Sequence, residues 1–311
     1  MMVVTGSQMK MGIIDLGSNS IRLVVYHWDG QDLKVIHNIK KISKNIQYVH
    51  DFVMSKEGLE AILHPLKELM ILSRAYDVET LHIFATASLR NIKNSLEAKS
   101  YLEQAIAHPI DLLDGKEESL LGFEGLKRVT ELPLEGISVD IGGGSTEITY
   151  FKHGEVVALG SIPLGSLNLY LNHVHDVLPS SSEEFMMRVE IQKYLHAFAW
   201  LKEVNVNTVL GIGGTARAIL RLHQAKYSIN TSIYDMTLSH NLLHTYTTHP
   251  MKVSDEETKL IFEALPDRFT TVIPGCIVMD EIMQIVKASE YRISSYGVRE
   301  GYLYSKVLPK V

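Results

Sequence analysis

The chain has 311 residues, 46% of them hydrophobic and 21% charged, with a formal net charge of −6. That length holds one large domain or two ordinary ones with full cores, and the acidic balance excludes broad, non-specific nucleic-acid binding, which needs a basic surface. Cys276 is the only cysteine, which excludes an intramolecular disulfide and a zinc site built on several cysteines. No apolar run reaches the length of a membrane span, and the opening "MMVVTGSQMK" lacks the pattern of a secretory signal. The expectation is a soluble cytoplasmic protein with a short lead-in before its first strand. The 14 histidines are scattered, and no pair is read as metal-binding spacing on a helix.

In chain order, "GIIDLGSNSIRLVVYHWDGQDLKVIH" reads as strand, Gly turn, strand, hairpin turn, strand. "SKEGLEAILHPLKELMILSRAY" is a helix with Ser55 as N-cap, which Pro65 kinks or splits. "ETLHIFATASLR" is a strand running into a polar turn at Thr86 to Arg90, "SLEAKSYLEQAI" a helix, "IDLLDG" a short strand, and "KEESLLGFEGLKRV" a helix. Then the opening pattern repeats: "SVDIGGGSTEITYFKHGEVVALGSIPLG" again gives a strand ending in Asp, a Gly turn with Ser, a strand, a Gly hairpin and a strand. Next come one long helix over "SSSEEFMMRVEIQKYLHAFAWLKEV" and a strand–turn–helix over "TVLGIGGTARAIL". Helices follow at "DEETKLIFEAL" and "TTVIPGCIVMDEIMQIVKA", the latter interrupted near Pro274 and Gly275. "RISSYGVREGYLYSKVL" closes the chain as strand, Gly turn and helix. The class is α/β in two similar lobes, residues 10–131 and 132–311, with the last helix packing back on the first lobe.

Four turns at strand ends carry the candidate chemistry: Gly17 to Ser20, Gly142 to Thr146, Gly211 to Thr215 and Gly297 to Gly301. Open α/β sheets gather ligands at the carboxyl ends of their strands. Glycines and small hydroxyl residues let backbone N–H groups converge on an anion. Taken singly, each turn reads equally well as a tight hairpin. Asp15 and Asp140 stand beside two of these turns, and a carboxylate repels phosphate unless a cation lies between. Mg²⁺, which binds carboxylates together with phosphate oxygens, resolves the conflict. Glu147 points toward the same ion if its strand begins at Thr146; alone it reads as an ordinary strand residue. Arg22, Arg90 and Arg299 suit phosphate oxygens or, equally, surface ion pairs. Water activation needs a base, and Glu117 and Glu118 open a helix together; the pattern does not choose between them, and both also favour the helix dipole.

These residues resemble the exopolyphosphatase and guanosine pentaphosphate phosphohydrolase family. "IDLGSNSIRLVV", "FATASLRN", "LDGKEES", "VDIGGGSTEI", "GIGGTARA" and "GVREGYL" occur in family order from residue 12 to 303. The resemblance implies two ribonuclease-H-like lobes of the actin-like ATPase superfamily, with an active-site cleft between them. It implies phosphate binding by Gly17, Ser18, Asn19, Ser20, Arg90, Gly142, Gly143, Gly144, Ser145 and Thr146. Glu118 matches the catalytic base, and Asp140 and Glu147 match Mg²⁺ ligands, with Asp15 a third acid. Arg22, Gly213, Gly214, Thr215 and Arg299 fall at the substrate cleft. A family stretch often written "EEAR" continues here as Ser119 and Leu120 after Glu118, and one often like "RLGEGL" is "KISKNI" at Lys41 to Ile46. Longer members add a C-terminal helical region that helps hold long chains. The expected activity is Mg²⁺-dependent release of terminal phosphate from inorganic polyphosphate, with guanosine pentaphosphate as the alternative substrate. A superfamily sugar kinase and a non-catalytic polyphosphate or alarmone sensor are the other readings. Relatives are commonly homodimers, so a homodimer is implied; no nucleic acid or membrane partner is expected.

Overall fold

The computed structural model describes residues 8–129, 131–248 and 255–308. The lead-in reading for the first seven residues lies outside these. The chain forms two compact units, residues 1–114 and 115–311.

The first unit begins with β1 (Met9–Leu16), β2 (Ser20–Trp28) and β3 (Leu33–Ile42), an antiparallel meander. A small ribbon of β4 (Val49–His50) and β5 (Val53–Met54) leads into α1 (Lys56–Ala75). β6 (Thr80–Ala85), α2 (Ala87–Arg90), α3 (Ser95–Ile106) and β7 (Asp111–Leu112) complete it. The sheet order is β3-β2-β1-β6-β7, with β6 parallel to β1 and β7 parallel to β6. Central β1 is apolar on both faces, as a strand covered on both sides must be. Ser55 caps α1 by accepting from Gly58 N at 3.1 Å. Pro65 neither splits nor ends α1, which runs unbroken through it. Ile62, Leu63, Leu66 and Leu69 line its buried face, and each such burial contributes roughly 1.5–3 kcal/mol, enough to offset one missing backbone bond. The polar turn expected at Thr86 to Arg90 is the single-turn helix α2.

The second unit starts with α4 (Gly115–Val129) and repeats the meander as β8 (Glu135–Ile141), β9 (Thr146–Lys152) and β10 (Glu155–Ile162). Then come α5 (Ser166–His173), α6 (Ser181–Leu195), β11 (Thr208–Ile212) and α7 (Gly213–Lys226). They are followed by β12 (Leu238–Ser239), α8 (His240–Thr248), α9 (Asp255–Ala264), α10 (Val272–Ile285), β13 (Glu290–Ile293) and α11 (Val298–Tyr302). The sheet order is β10-β9-β8-β11-β13-β12. Its first five strands repeat the order of the first unit, so both sheets have the expected ribonuclease-H-like arrangement.

The division precedes α4, whereas the boundary was expected near residue 131. Phe123 and Leu126 of α4 pack with Phe151, Leu210 and Ile212, which ties the helix to the second sheet. The last helix α11 packs on α4. The helix expected over Ser180 to Val204 stops at Leu195 and a 3₁₀ turn follows at Ala199–Glu203. Pro274 and Gly275 do not interrupt α10; proline in a first turn removes an N–H that has no helical acceptor. The segments at α5, β12 and α8 were not anticipated.

Candidate active site

In the first unit, Asp15 lies one residue before the end of β1 and the chain turns at once into β2. Gly17 N donates to Ser20 O at 3.1 Å, closing the turn. The Asn45 side-chain amide donates to Gly17 O at 3.0 Å, and Ser43 N and Lys44 N donate to Asn19 O, both at 3.1 Å. A trans peptide sets C=O and N–H on opposite sides. Holding the Gly17 carbonyl therefore turns the Ser18 N–H the other way. Ser18 and Asn19 are nearly buried. The Asn19 side-chain amide nitrogen is buried without a hydrogen-bond partner, as are Ser43 Oγ and Asn45 Oδ1. Buried polar groups are rarely left so, and the orphaned donor beside a glycine turn suits an anionic ligand. Arg22 is the cross-strand partner of Asp15 and donates to Asn38 Oδ1 at 2.6 Å. Arg90, ending α2, donates to Leu113 O at 3.0 Å.

In the second unit, the same turn recurs: Gly142 N donates to Ser145 O at 2.9 Å. Asp140 stands across the strands from Glu147, as Asp15 stands across from Arg22. Glu147 is 3% exposed and accepts from Ser161 Oγ at 2.9 Å. The start of α5 grips this loop. Ser166 N donates to Gly142 O at 2.9 Å, and Leu167 N and Asn168 N donate to Gly143 O at 3.0 and 3.1 Å. With those carbonyls turned to α5, the N–H groups of Gly143 and Gly144 point away from it, giving the loop an amide-rich face. Gly165 permits the grip, because a Cβ there would lie 2.6 Å from Gly142 O.

The turn from β11 into α7 adjoins Asp140. Gly213 has φ +84°, and a Cβ on it would fall 2.3 Å from Asp140 Oδ1. Arg268 lies over the next residues, with Nη1 3.5 Å from Thr215 Oγ1. Burial and the positive charges of Arg217 and Arg299 push Arg268 down to about 10, against the opposing pull of Asp140. Burial and Arg299 likewise lower Arg217. Three guanidinium groups thus interact with one another beside the carboxylates of Asp140, Asp267 and Glu300, and arginines so gathered suit a polyanion.

The fourth expected turn has a packing role. Gly297 N donates to Glu300 Oε2 at 2.8 Å, capping α11. A Cβ on Gly301 would lie 1.8 Å from Leu121 O, so this glycine lets α11 approach α4. Arg299 from this turn joins the guanidinium group above. On α4 itself the two first-turn acids differ. Glu117 pairs with Lys306 Nζ at 2.5 Å, whereas Glu118 is 8% exposed.

Residues 24–310 match the model of the Ppx/GppA phosphatase family. The chain belongs to the Ppx/GppA phosphatase family. It is 25% identical over 308 residues to a guanosine-5′-triphosphate,3′-diphosphate pyrophosphatase of Vibrio vulnificus, covering 96% of this chain but 59% of that one. It is 23% identical over 306 residues to exopolyphosphatase 1 of Mycobacterium tuberculosis, covering 96% of this chain and 88% of that relative. The fold is shared with an exopolyphosphatase from Cytophaga hutchinsonii, at TM-score 0.83 and 19% identity over 95% of this chain and 97% of that one. The Aquifex aeolicus family member aligns with TM-score 0.74 and 23% identity over 97% and 98% of the two chains.

Within this family member, the second unit brings together Asp140, Glu147, the Gly142 to Thr146 loop, Gly213 to Thr215 and Arg299. Asp15, Arg22, Arg90 and the Gly17 to Ser20 turn lie in the first unit. Asp140 and Glu147 fit Mg²⁺ by their chemistry, since paired carboxylates are the hard oxygen donors it takes. Arg217 and Arg268 were missed. Arg217 lies two residues past the "GIGGT" turn and was within reach; Arg268 joins it only through packing. One reading is corrected: His240 and His244 stand four residues apart on α8, the spacing of a helical metal pair. With Asp280 they form the one group of three metal-capable side chains found among the described residues.

Proposed function

We propose that this family member is a Mg²⁺-dependent exopolyphosphatase, releasing terminal phosphate from inorganic polyphosphate by attack of water. The observation that carries the reading is the second unit's constellation. An amide-faced glycine loop lies beside the cross-strand acids Asp140 and Glu147, with Arg217, Arg268 and Arg299 gathered near Asp140. Amides suit phosphate oxygens, the acids suit a hard cation, and the arginines suit further phosphates of a chain.

Asp140 and Glu147 would hold Mg²⁺. When bound, Mg²⁺ offsets negative charge on the phosphates. Glu118 takes a proton from water; the water oxygen bonds to the terminal phosphorus, and the bridging P–O bond breaks. The products are orthophosphate and a chain one unit shorter. Glu118 is chosen over Glu117 because it matches the family's catalytic glutamate and is nearly buried, whereas Glu117 pairs with Lys306 nearer the surface. Glu118 is nearly buried at the start of the same helix, and a positioned carboxylate can act as a general base. The Gly17 to Ser20 turn, Asn19, Arg22 and Arg90 are phosphate-binding groups of the first unit. Positioning and electrostatics supply most of the rate enhancement.

Hydrolysis of guanosine pentaphosphate is the second reading, favoured by the similarity to the Vibrio vulnificus relative. The similarity to the mycobacterial exopolyphosphatase favours polyphosphate. A homodimer belongs to the same proposal and is tested by sedimentation. The deciding experiment measures Mg²⁺-dependent phosphate release from short polyphosphate, long polyphosphate and guanosine pentaphosphate. Release from polyphosphate with a higher kcat/KM than from the nucleotide is expected. Preference for the nucleotide would select the second reading, and release from neither would remove both.

A further inference from the structure

We propose that His240, His244 and Asp280 form a binding site for a zinc-class divalent cation, in a part of the second unit that the phosphohydrolase reading leaves unused. Residues four apart on a helix share one face, so α8 presents both imidazoles together. α10 packs against α8 and brings Asp280, which is 1% exposed. Asp280 Oδ1 lies 2.8 Å from His240 Nε2 and 3.0 Å from His244 Nδ1. Zinc bonds of 2.0–2.1 Å at tetrahedral angles set ligand atoms about 3.3 Å apart. The two carboxylate–imidazole distances are therefore within about half an ångström of that spacing, and all three donors lie within 4.8 Å of one another.

The carboxylate is also held in place. Its other oxygen, Oδ2, accepts from Arg188 Nη1 at 2.7 Å and Thr247 Oγ1 at 3.1 Å, with His244 Nδ1 also 2.9 Å from it. Outer groups that hydrogen-bond a ligating carboxylate orient it for a metal. Arg188 and Thr247 hold Oδ2, Oδ1 faces His240, and His244 Nδ1 sits against both oxygens.

Charge balance points the same way. Arg188 Nη1 also meets Glu281 Oε1 at 2.5 Å, and its Nε meets Glu184 Oε1 at 2.9 Å. Three carboxylates around one guanidinium leave two negative charges over when the imidazoles are neutral. Asp280 and Glu281 are 1% and 2% exposed, and buried charge needs compensation. A divalent cation supplies both missing charges. Imidazole nitrogen selects zinc, cobalt, nickel or copper over magnesium and calcium, which take oxygen. This donor set is thus distinct from Asp140 and Glu147. His240 and His244 have side chains 21% and 43% exposed, so an ion can enter from solvent.

The test uses the full chain, stripped by chelator and titrated with Co²⁺ and then Zn²⁺ in excess Mg²⁺, followed by visible absorption, calorimetry and thermal melting. One equivalent of Co²⁺ with a low-coordinate visible band, displaced by Zn²⁺ and accompanied by a higher Tm, is expected. His240→Ala and His244→Ala should each weaken Zn²⁺ binding by on the order of 100-fold. His244→Gln keeps a polar side chain of similar reach should the alanine variant melt early. Asp140→Asn should keep the single high-affinity Co²⁺ site. No stoichiometric Co²⁺ or Zn²⁺ binding would overturn the proposal. So would histidine variants that bind as the parent does, or variants that lower Tm equally with and without Zn²⁺, the behaviour of a metal-free hydrogen-bonded staple. None of these outcomes depends on phosphate release.

Discussion

The two glycine turns are built alike and charged differently. Each follows an Asp near the end of a first strand, and each closes by a Gly N to Ser O hydrogen bond, at 3.1 Å in one and 2.9 Å in the other. In each, the residue seven places after the Asp is its cross-strand partner, but this is Arg22 in the first unit and Glu147 in the second. One equivalent position thus carries opposite charge in the two turns. Under the proposed function, Arg22 offsets the Asp15 charge in the first turn, whereas Asp140 facing Glu147 calls for a cation in the second. The duplication keeps the geometry and divides the electrostatic work.

The largest expected effect asks whether the second unit carries the chemistry. Glu118→Gln should lower kcat for phosphate release by about 10²- to 10⁴-fold, the range for losing a general base, with substrate binding retained. Glu117→Gln should change kcat little; equal losses from the two would remove the distinction drawn from Lys306. Next, Gly165→Ala forces a Cβ against the Gly142 to Gly144 backbone and should displace that loop. A shift of about 1 Å in a positioning element can reduce rate about 100-fold. Steady-state kinetics together with a crystal structure of the variant would check it. The charge difference itself is probed by a pair of variants. Glu147→Gln should raise the Mg²⁺ concentration for half-maximal activity roughly tenfold, about 1.4 kcal/mol of lost ligation. Arg22→Gln should instead raise KM a few-fold and leave the Mg²⁺ midpoint in place. If both variants move the Mg²⁺ midpoint, the two turns do not divide the work by charge.

The smallest effect is a control outside both turns. The Glu183 carboxylate is held down to about 2, burial being outweighed by hydrogen bonds from Ser180 and His175. Its folded value lies below the ordinary 4.5. Its stabilising contribution is therefore full above about pH 4.5 and lost as pH falls from there toward 2. Glu183→Gln should cost about 1 kcal/mol at neutral pH, as for a lost capping group. It should flatten the acid side of the Tm profile over that window and leave phosphate release unchanged.

What the sequence made legible was local. Asp15, Asp140 and their glycine turns are contiguous patterns, and the repeated spacing revealed both hairpins and both sheets. What escaped it depends on packing between distant segments. Arg268 meets Thr215 only because the segment before α10 folds over the start of α7. Glu117 and Glu118 share one helical turn, and Lys306 near the other end of the chain separates them. Pro65 and Pro274 looked like breaks, but a buried apolar face carries α1 past one and a first-turn position accommodates the other. α8 escaped because "HNLLHTYTT" is only nine residues long and was not read as a helix. Its two histidines therefore looked scattered when they are one turn apart.

The grip of α5 on the second loop also has a kinematic consequence. Backbone amides hold the Gly142 and Gly143 carbonyls, so that loop moves as a rigid extension of its helix. α5 packs on α6 and α10, the helices that carry Arg188 and Asp280. Any displacement of these helices is geared directly to the loop, with no slack in between. The first unit's turn is held by the backbone amides of Ser43 and Lys44 on Asn19 O and by the Asn45 side chain on Gly17 O, so it is tied to the segment after β3. The two turns are thus suspended differently, one from the start of a helix and the other from the segment that follows β3.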